Sequence, residues 1–356
     1  MDLKEIRRSI DATDYEIVKL LNRRMEYGLR LKRLKSSVAE PSREQEVIDH
    51  VRSYSCNVME PGFTEQIYRT IMDESKRIQE KGLKLVGFQG EHGAYSEVAA
   101  HSYAPGLASI PCPSFHEVFR EVESGQLDLG IVPVENSIEG AVTEVNDLLV
   151  ETDLRIVGEA VIPIHHCLLA LPEQDYRELK TVYSHPQALG QCRGFIARHR
   201  LEARPFYDTA GAAIMLREQK PPATAAIASK LCADLYHLEV LKENIEDNDS
   251  NRTRFVLLSK QPSPEGGNKI SIIFSVSHRP GGLFSALKVL SDASINMTRI
   301  ESRPLRNDPG SYAFFVDLEG SDKEPKVTSA LGAIDKVTKN FKFLGCYKEQ
   351  DLGSIK

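Results

Sequence analysis

The 356-residue sequence has no tryptophan, no C-x-x-C pair, no P-loop, no G-x-G-x-x-G and no apolar run that approaches a membrane span. Each absence narrows what the chain can be. Cys56, Cys112, Cys167, Cys192, Cys232 and Cys346 are scattered, so they read as reduced, mostly buried thiols, not as a zinc site or a disulfide frame. Positive charge is not in excess: the formal net charge is -6, which gives no electrostatic case for a nucleic-acid partner. The start, Met1-Asp2-Leu3-Lys4-Glu5, is charged and has no apolar signal-peptide core, so the expectation is a cytoplasmic protein without a membrane partner. The length suggests two or three domains.

Within residues 1–82, apolar residues Ile6, Ile10, Ile17, Leu20, Leu21 and Leu31 recur at helical spacing, and the stretch from Leu3 to about Lys35 lacks proline. Such a helix is about 50 Å long. A small domain cannot cover that rod alone, so a second chain is expected along it. Ser36-Ser37-Val38-Ala39-Glu40-Pro41 breaks the pattern, and Ser42-Arg43-Glu44-Gln45 has capping-box form, predicting a second helix. A third runs from about Phe63 to Lys81 and stops at Gly82. Most of the basic residues on the first helix suit a solvated face. A few are placed otherwise. Arg24 and Lys35 share one face, within about 20°. Ser75 and Gln79 are also on one face, one turn apart. Arg7 lies about 25 Å along the rod from Arg24, too far for one small-molecule site, and so would serve a partner chain.

Arg7, Arg24, Lys35, Arg43, Glu44, Ser75 and Gln79 together resemble the active-site pattern of the all-helical chorismate mutases. That resemblance implies an all-α, three-helix domain, an intertwined dimer and one arginine supplied in trans. It implies that arginines clamp the two carboxylates of chorismate. Lys35 and Gln79 would donate to the ether oxygen of the rearrangement, and Glu44 would fix the substrate hydroxyl. Glu40 stands where the family more often has Asp.

From residue 83 to 262 strand and helix patterns alternate. Leu83 to Phe88, Leu129 to Val134, Leu154 to Val161, Cys167 to Leu171, Thr181 to Tyr183 and Ala225 to Ile227 read as strands of an α/β domain, mostly parallel. Three polar mouths follow strands: Gly93-Ala94-Tyr95-Ser96, Glu135-Asn136-Ser137 and Ser184-His185-Pro186-Gln187. Helix N-termini there offer free N–H groups and a positive dipole end to an anion. Asn251-Arg252-Thr253-Arg254-Phe255 opens a further apolar strand, Val256-Leu257-Leu258. His165-His166 lies beside a strand and reads as structural. In this order, and with Gln191, these motifs resemble prephenate dehydratase. The resemblance implies two α/β lobes around a cleft, like a type II periplasmic binding protein. It makes Thr253 the group that assists the leaving hydroxyl of prephenate, with Glu135 or His185 as the ultimate proton source. Asn136, Ser184, Gln191 and Arg254 would orient substrate, beside Tyr95, Ser96, Ser137, Gln187 and Phe255.

Gln261-Pro262-Ser263-Pro264-Glu265-Gly266-Gly267-Asn268 is a linker by composition. Residues 269–356 then read as βαββαβ, the α+β ferredoxin-like order. On pattern alone this is equally a dimerisation domain. Gly281-Gly282-Leu283-Phe284 after Pro280, and Glu301-Ser302-Arg303-Pro304, resemble the phenylalanine-binding motifs of the ACT domain. Gly282 stands where the family usually has Ala. The combined resemblance implies a bifunctional enzyme that converts chorismate through prephenate to phenylpyruvate. Phenylalanine would be its inhibitory effector, it would be a homodimer or homotetramer, and it would need no cofactor or metal. A dehydratase acting on arogenate and a non-catalytic amino-acid sensor are the rival readings.

Overall fold

The structure is a computed structural model and describes residues 2–35, 40–54, 58–172, 174–276, 279–305 and 311–350. The chain divides into two compact units, Met1–Lys84 and Leu85–Lys356. The helix break expected at Ser36–Ala39, and Cys56, lie outside the described residues. The other five cysteines are buried free thiols.

The described residues of the first unit form three helices, Leu3–Lys32, Pro41–Tyr54 and Pro61–Glu80. Asp2 caps the first: its carboxylate accepts from Glu5 N (2.8 Å) while Glu5 accepts from Asp2 N (2.7 Å). The capping box expected at Ser42 does not form, because the second helix already begins at Pro41. Proline at a first helical position gives up only an N–H that would have no intrahelical partner. Gly82, at φ 64°, follows the third helix as expected. The first and third helices touch closely at Gly28, where a Cβ would lie 2.7 Å from Ser75 Oγ. Leu3, Ile6, Ile10, Ile17, Val18 and Leu20 remain exposed along the first helix.

Among the described residues the second unit holds three sheets. The first has strand order Ala108–Cys112, Leu85–Gln89, Leu129–Asn136, Arg252–Ser259, Arg155–Pro163, with Gly140–Ala141 beside Leu129–Asn136. The second runs Glu239–Lys242, Cys167–Ala170, Thr224–Ala228, Thr181–Ser184, Glu202–Pro205. The chain therefore passes between these sheets twice, near residues 164–166 and again near 243–251. The expectation of mostly parallel strands is corrected. Arg252–Ser259 returns through the second passage and pairs antiparallel with both neighbours, and Cys167–Ala170 is antiparallel to Thr224–Ala228 and Glu239–Lys242.

The third sheet, Met297–Pro304, Tyr312–Glu319, Lys269–Ser275, Lys339–Tyr347, has the expected βαββαβ order. Its helices Gly282–Asp292 and Pro325–Val337 cover one face through Ile270, Ile272, Phe274, Val316 and Leu318. The opposite face packs on the first sheet. A Cβ on Gly345 would come within 2.1 Å of Ile156 O, so glycine lets the two backbones meet. Gly345→Ala should therefore force these sheets apart and destabilise the chain by about 1–3 kcal/mol. A lowered urea midpoint with an unchanged slope for the intact protein is the expected reading.

Candidate active sites

In the first unit, the residues singled out by spacing fall on the helices as follows. Ser75 and Gln79 are buried on the third helix, and Gln79 Nε2 donates to Ser75 Oγ (3.2 Å). Gly28 lies against both, and Arg24 is one turn before it on the first helix. Lys35 Nζ pairs with Glu40 (2.7 Å). Glu44 is held by Lys76 Nζ (3.2 Å), a cation the sequence reading passed over. Arg43 pairs with Glu46 on its own helix (2.7 Å). Lys32 donates to the Gln79 carbonyl. Arg7, near the N-terminus of the same helix as Arg24, is exposed.

In the second unit a cavity of about 350 Å³ opens between the first two sheets. Five helix N-termini reach it: Tyr95 and Ser96 begin one helix, Phe115 begins a second, Val142 caps a third, Gln187 follows the His185 cap of a fourth and Thr209 the Asp208 cap of a fifth. None of its described lining residues is Lys or Arg. Oriented N–H groups and helix dipoles are thus its resources for an anion. Gly93 makes the first turn possible: it sits at φ 90°, and a Cβ there would meet Cys232 Sγ at 2.5 Å.

A chain of hydrogen bonds crosses the cavity wall. Asn136 Oδ1 accepts from Ile138 N and Glu139 N (both 3.0 Å), which fixes its amide. Its Nδ2 then donates to Thr253 Oγ1 (2.9 Å) and to Asn251 Oδ1 (2.8 Å). Asn251 Nδ2 donates to Gln191 Oε1 (3.1 Å). His166 Nε2 lies 2.8 Å from the same oxygen, and an amide oxygen only accepts, so that nitrogen carries a proton. The other ring nitrogen, Nδ1, is 2.8 Å from Tyr95 Oη. Burial pushes the Tyr95 phenol up, keeping it a neutral hydroxyl. Burial also holds the His166 imidazole below its ordinary value, against the opposing Gln191 hydrogen bond and Glu246 charge. Glu246 accepts from His166 N (2.9 Å) and lies 2.7 Å from His165 Nδ1. It thereby ties the two inter-sheet passages together.

The structure brings Tyr95, Ser96, Asn136, His185, Gln187, Gln191, Thr253 and Phe255 to one cavity and leaves four expected residues outside it. Arg254 is turned to the opposite face of its strand, because successive side chains of a strand alternate. Glu135 alternates with Asn136 in the same way and faces Arg299 (3.3 Å). Ser184 is buried and donates to Ile227 O (2.6 Å), a bond within its own sheet. Ser137 Oγ accepts from Arg252 N (2.9 Å) and donates to Ser250 O (3.3 Å), tying the end of Leu129–Asn136 to the start of Arg252–Ser259. His166, read as structural, lines the cavity, and so do Tyr207, Asp208 and Thr209. The Asp208-Thr209 cap before an Ala-rich stretch was a legible helix start.

In the third sheet, Gly281 caps its helix at φ 83°, Gly282 opens it, Leu283 packs on the core and Phe284 is exposed. Glu301 and Arg303 are half-buried on one face of an edge strand, while Ser302 and Pro304 are exposed on the other.

Family models match in chain order: chorismate mutase type II over residues 6–80, prephenate dehydratase over 86–263 and the ACT domain over 270–336. A bifunctional chorismate mutase/prephenate dehydratase of Aquifex aeolicus is 36% identical over 97% of this chain and 98% of its own length. An arogenate dehydratase/prephenate dehydratase 2 of Arabidopsis thaliana is 38% identical over 74% of this chain and 72% of its own. A prephenate dehydratase from Arthrobacter aurescens, solved with L-Phe, superposes with a TM-score of 0.69 at 32% identity, over 74% of this chain and 89% of its own.

The depressed His166 pKa has a measurable consequence. The unfolded imidazole takes up a proton near pH 6.5, the folded one only at lower pH. Its contribution to stability is thus complete above that value and is lost as pH falls towards the folded pKa. The unfolding midpoint of the second unit should fall between about pH 7 and about pH 5, and His166→Gln should make that fall shallower. An unchanged slope in the variant would assign the acid sensitivity elsewhere.

Proposed function

This chain belongs to the family of bifunctional chorismate mutase/prephenate dehydratases, and on that premise we propose how its residues divide the work. It is an enzyme of phenylalanine biosynthesis that rearranges chorismate to prephenate and converts prephenate to phenylpyruvate, under control by L-phenylalanine.

The observation that carries the dehydratase assignment is the fixed Asn136–Thr253 pair in a cavity ringed by helix N-termini. Prephenate loses carbon dioxide and its ring hydroxyl, and aromatisation supplies the driving force. The protein has then to help hydroxide leave and to hold two carboxylates. Thr253 Oγ1 accepts from Asn136, so its own proton is available to the leaving hydroxyl. A threonine is a weak acid, and the proton needs a source behind it. His185, which lines the cavity, offers one; Glu135, turned away, does not, and the bonds from His166 through Gln191 and Asn251 to Asn136 orient Thr253 without relaying a proton. The carboxylates are met by backbone N–H groups at Tyr95-Ser96 and Thr209 and by the Gln187 side chain.

In the mutase domain Arg24, Lys35, Ser75 and Gln79 clamp the reactive conformer of chorismate, and Glu44 takes its hydroxyl. Unimolecular rearrangement needs no nucleophile, only this clamp and positive charge at the ether oxygen. Arg7 and the exposed apolar side chains of the first helix suit a second copy of the chain, with Arg7 serving the partner's site. Phenylalanine binds at Gly281–Phe284 and the neighbouring edge strand Met297–Pro304. No described helix is long and apolar enough to cross a membrane, and we assign the chain to the cytoplasm.

A coupled assay on the purified chain tests this reading. Chorismate alone should yield phenylpyruvate, and less of it when phenylalanine is added; prephenate that accumulates without phenylpyruvate would remove the dehydratase assignment. Arg24→Ala should abolish mutase turnover and spare conversion of prephenate. Thr253→Ala should do the reverse, lowering dehydratase kcat about a hundredfold or more. A Thr253→Ala chain with normal turnover of prephenate would displace Thr253 from its role.

A further inference from the structure

Thr253 and Asn136 hold each other at the cavity, and each has a chain neighbour that points the opposite way. Arg254 Nε bonds Glu159 Oε2 (2.6 Å), its Nη1 bonds Asp317 Oδ2 (2.6 Å) and its Nη2 donates to Tyr347 Oη (3.0 Å). Asp317 and Tyr347 belong to the ACT sheet. Glu159 is fully buried and is also held by Lys269 Nζ of that sheet (2.9 Å). On the adjacent strand, Glu135 takes Arg299 Nε of the ACT edge strand (3.3 Å). Two residues before the expected effector motif, Arg299 leaves its Nη2 without a hydrogen-bond partner among the described residues.

These contacts couple mechanically as well as electrostatically. A buried guanidinium with three partners is costly to separate from them, since the charges left behind lose both water and each other. Burial opposes the Asp317 charge, and the Arg254 and Arg299 cations outweigh it, holding the carboxyl below its ordinary range. Because a strand alternates, a pull on Arg254 turns the same backbone that carries Thr253. Movement of the ACT sheet by a fraction of an ångström therefore reaches the pair over the cavity.

We propose that Arg254 and Glu135 are positioning residues. They lock Thr253 and Asn136 to the ACT sheet, through Asp317 and Arg299, and so carry the effector's signal to the catalytic pair. This rests on the reading of Thr253 as the group that assists the leaving hydroxyl. It departs from the sequence expectation, in which Arg254 touches substrate.

Asp317→Asn and Arg299→Gln separate the two, because both residues lie in the ACT sheet and neither lines the cavity. Dehydratase turnover of prephenate is measured on the intact chain, with kcat and KM resolved, together with the phenylalanine concentration for half-inhibition. Coupling predicts that Asp317→Asn lowers kcat about tenfold with KM changed by less than about twofold. It predicts that Arg299→Gln shifts half-inhibition by about tenfold. Arg254→Lys, which keeps the charge but not the three-way fork, should reproduce the kcat loss of Asp317→Asn, and the double variant should be no worse than either alone. Wild-type kcat and half-inhibition in both ACT variants, with a raised KM in Arg254→Lys, would overturn the inference and return Arg254 to the substrate. If Asp317→Asn loses its cooperative unfolding transition, Arg299→Gln decides, since its partner Glu135 is partly solvated. A wild-type chain that makes no phenylpyruvate from prephenate overturns the underlying assignment instead; an active wild type with unaltered ACT variants overturns this inference alone.

Discussion

The strand Arg252–Ser259 is loaded on both faces, and the second unit is arranged around the alternation of its side chains. Thr253 and Phe255 face the cavity, while Arg254 and Val256 face the ACT sheet. A one-residue slip of register would bury the wrong set on both sides at once. Two antiparallel neighbours prevent it: Leu129–Asn136 and Arg155–Pro163 clamp the strand along its length. The Arg254–Glu159–Asp317 cluster adds a charged contact that has only one satisfactory register.

That strand is also the place where the chain returns from the second lobe to the first. The cavity consequently forms at the junction of two passages, and its wall is a polar network that spans both. Asn136 and Thr253 come from the first sheet, Gln191 from the second lobe, and His166 and Asn251 from the passages themselves. Such a network is stable only if every member is satisfied, which ties the geometry of the Asn136–Thr253 pair to the packing of the two lobes. A lobe movement that breaks the Gln191 bonds would loosen Asn251 and, through it, Asn136.

The mutase unit solves a different problem with simpler means. Three helices and one close contact at Gly28 place Ser75 and Gln79 beside the first helix. The cost is a long helix whose apolar residues the unit does not cover by itself. Catalysis of a unimolecular rearrangement asks for a rigid clamp, and helices at close approach supply one.

Much of this was legible in the sequence. Helical spacing gave the three helices, and apolar runs between turn residues gave most strands. The βαββαβ order of the last segment and the polar mouths at Tyr95, His185 and Thr253 were visible too. These features are local, set by periodicity, caps and turns within a few residues. Orientation was not legible. Alternation says that Thr253 and Arg254 point apart, but not which of them faces the cavity; that depends on what two distant segments, Tyr95–Tyr103 and Lys269–Ser275, pack against each face. His166 likewise looks like any histidine beside a strand until Tyr95 and Gln191, at separations of 71 and 25 residues, close around it. Local chemistry selected the candidate residues, and long-range packing sorted them into those that reach the cavity, such as Thr253, and those that brace it, such as Arg254. A buried polar group is defined by partners the neighbouring sequence does not contain.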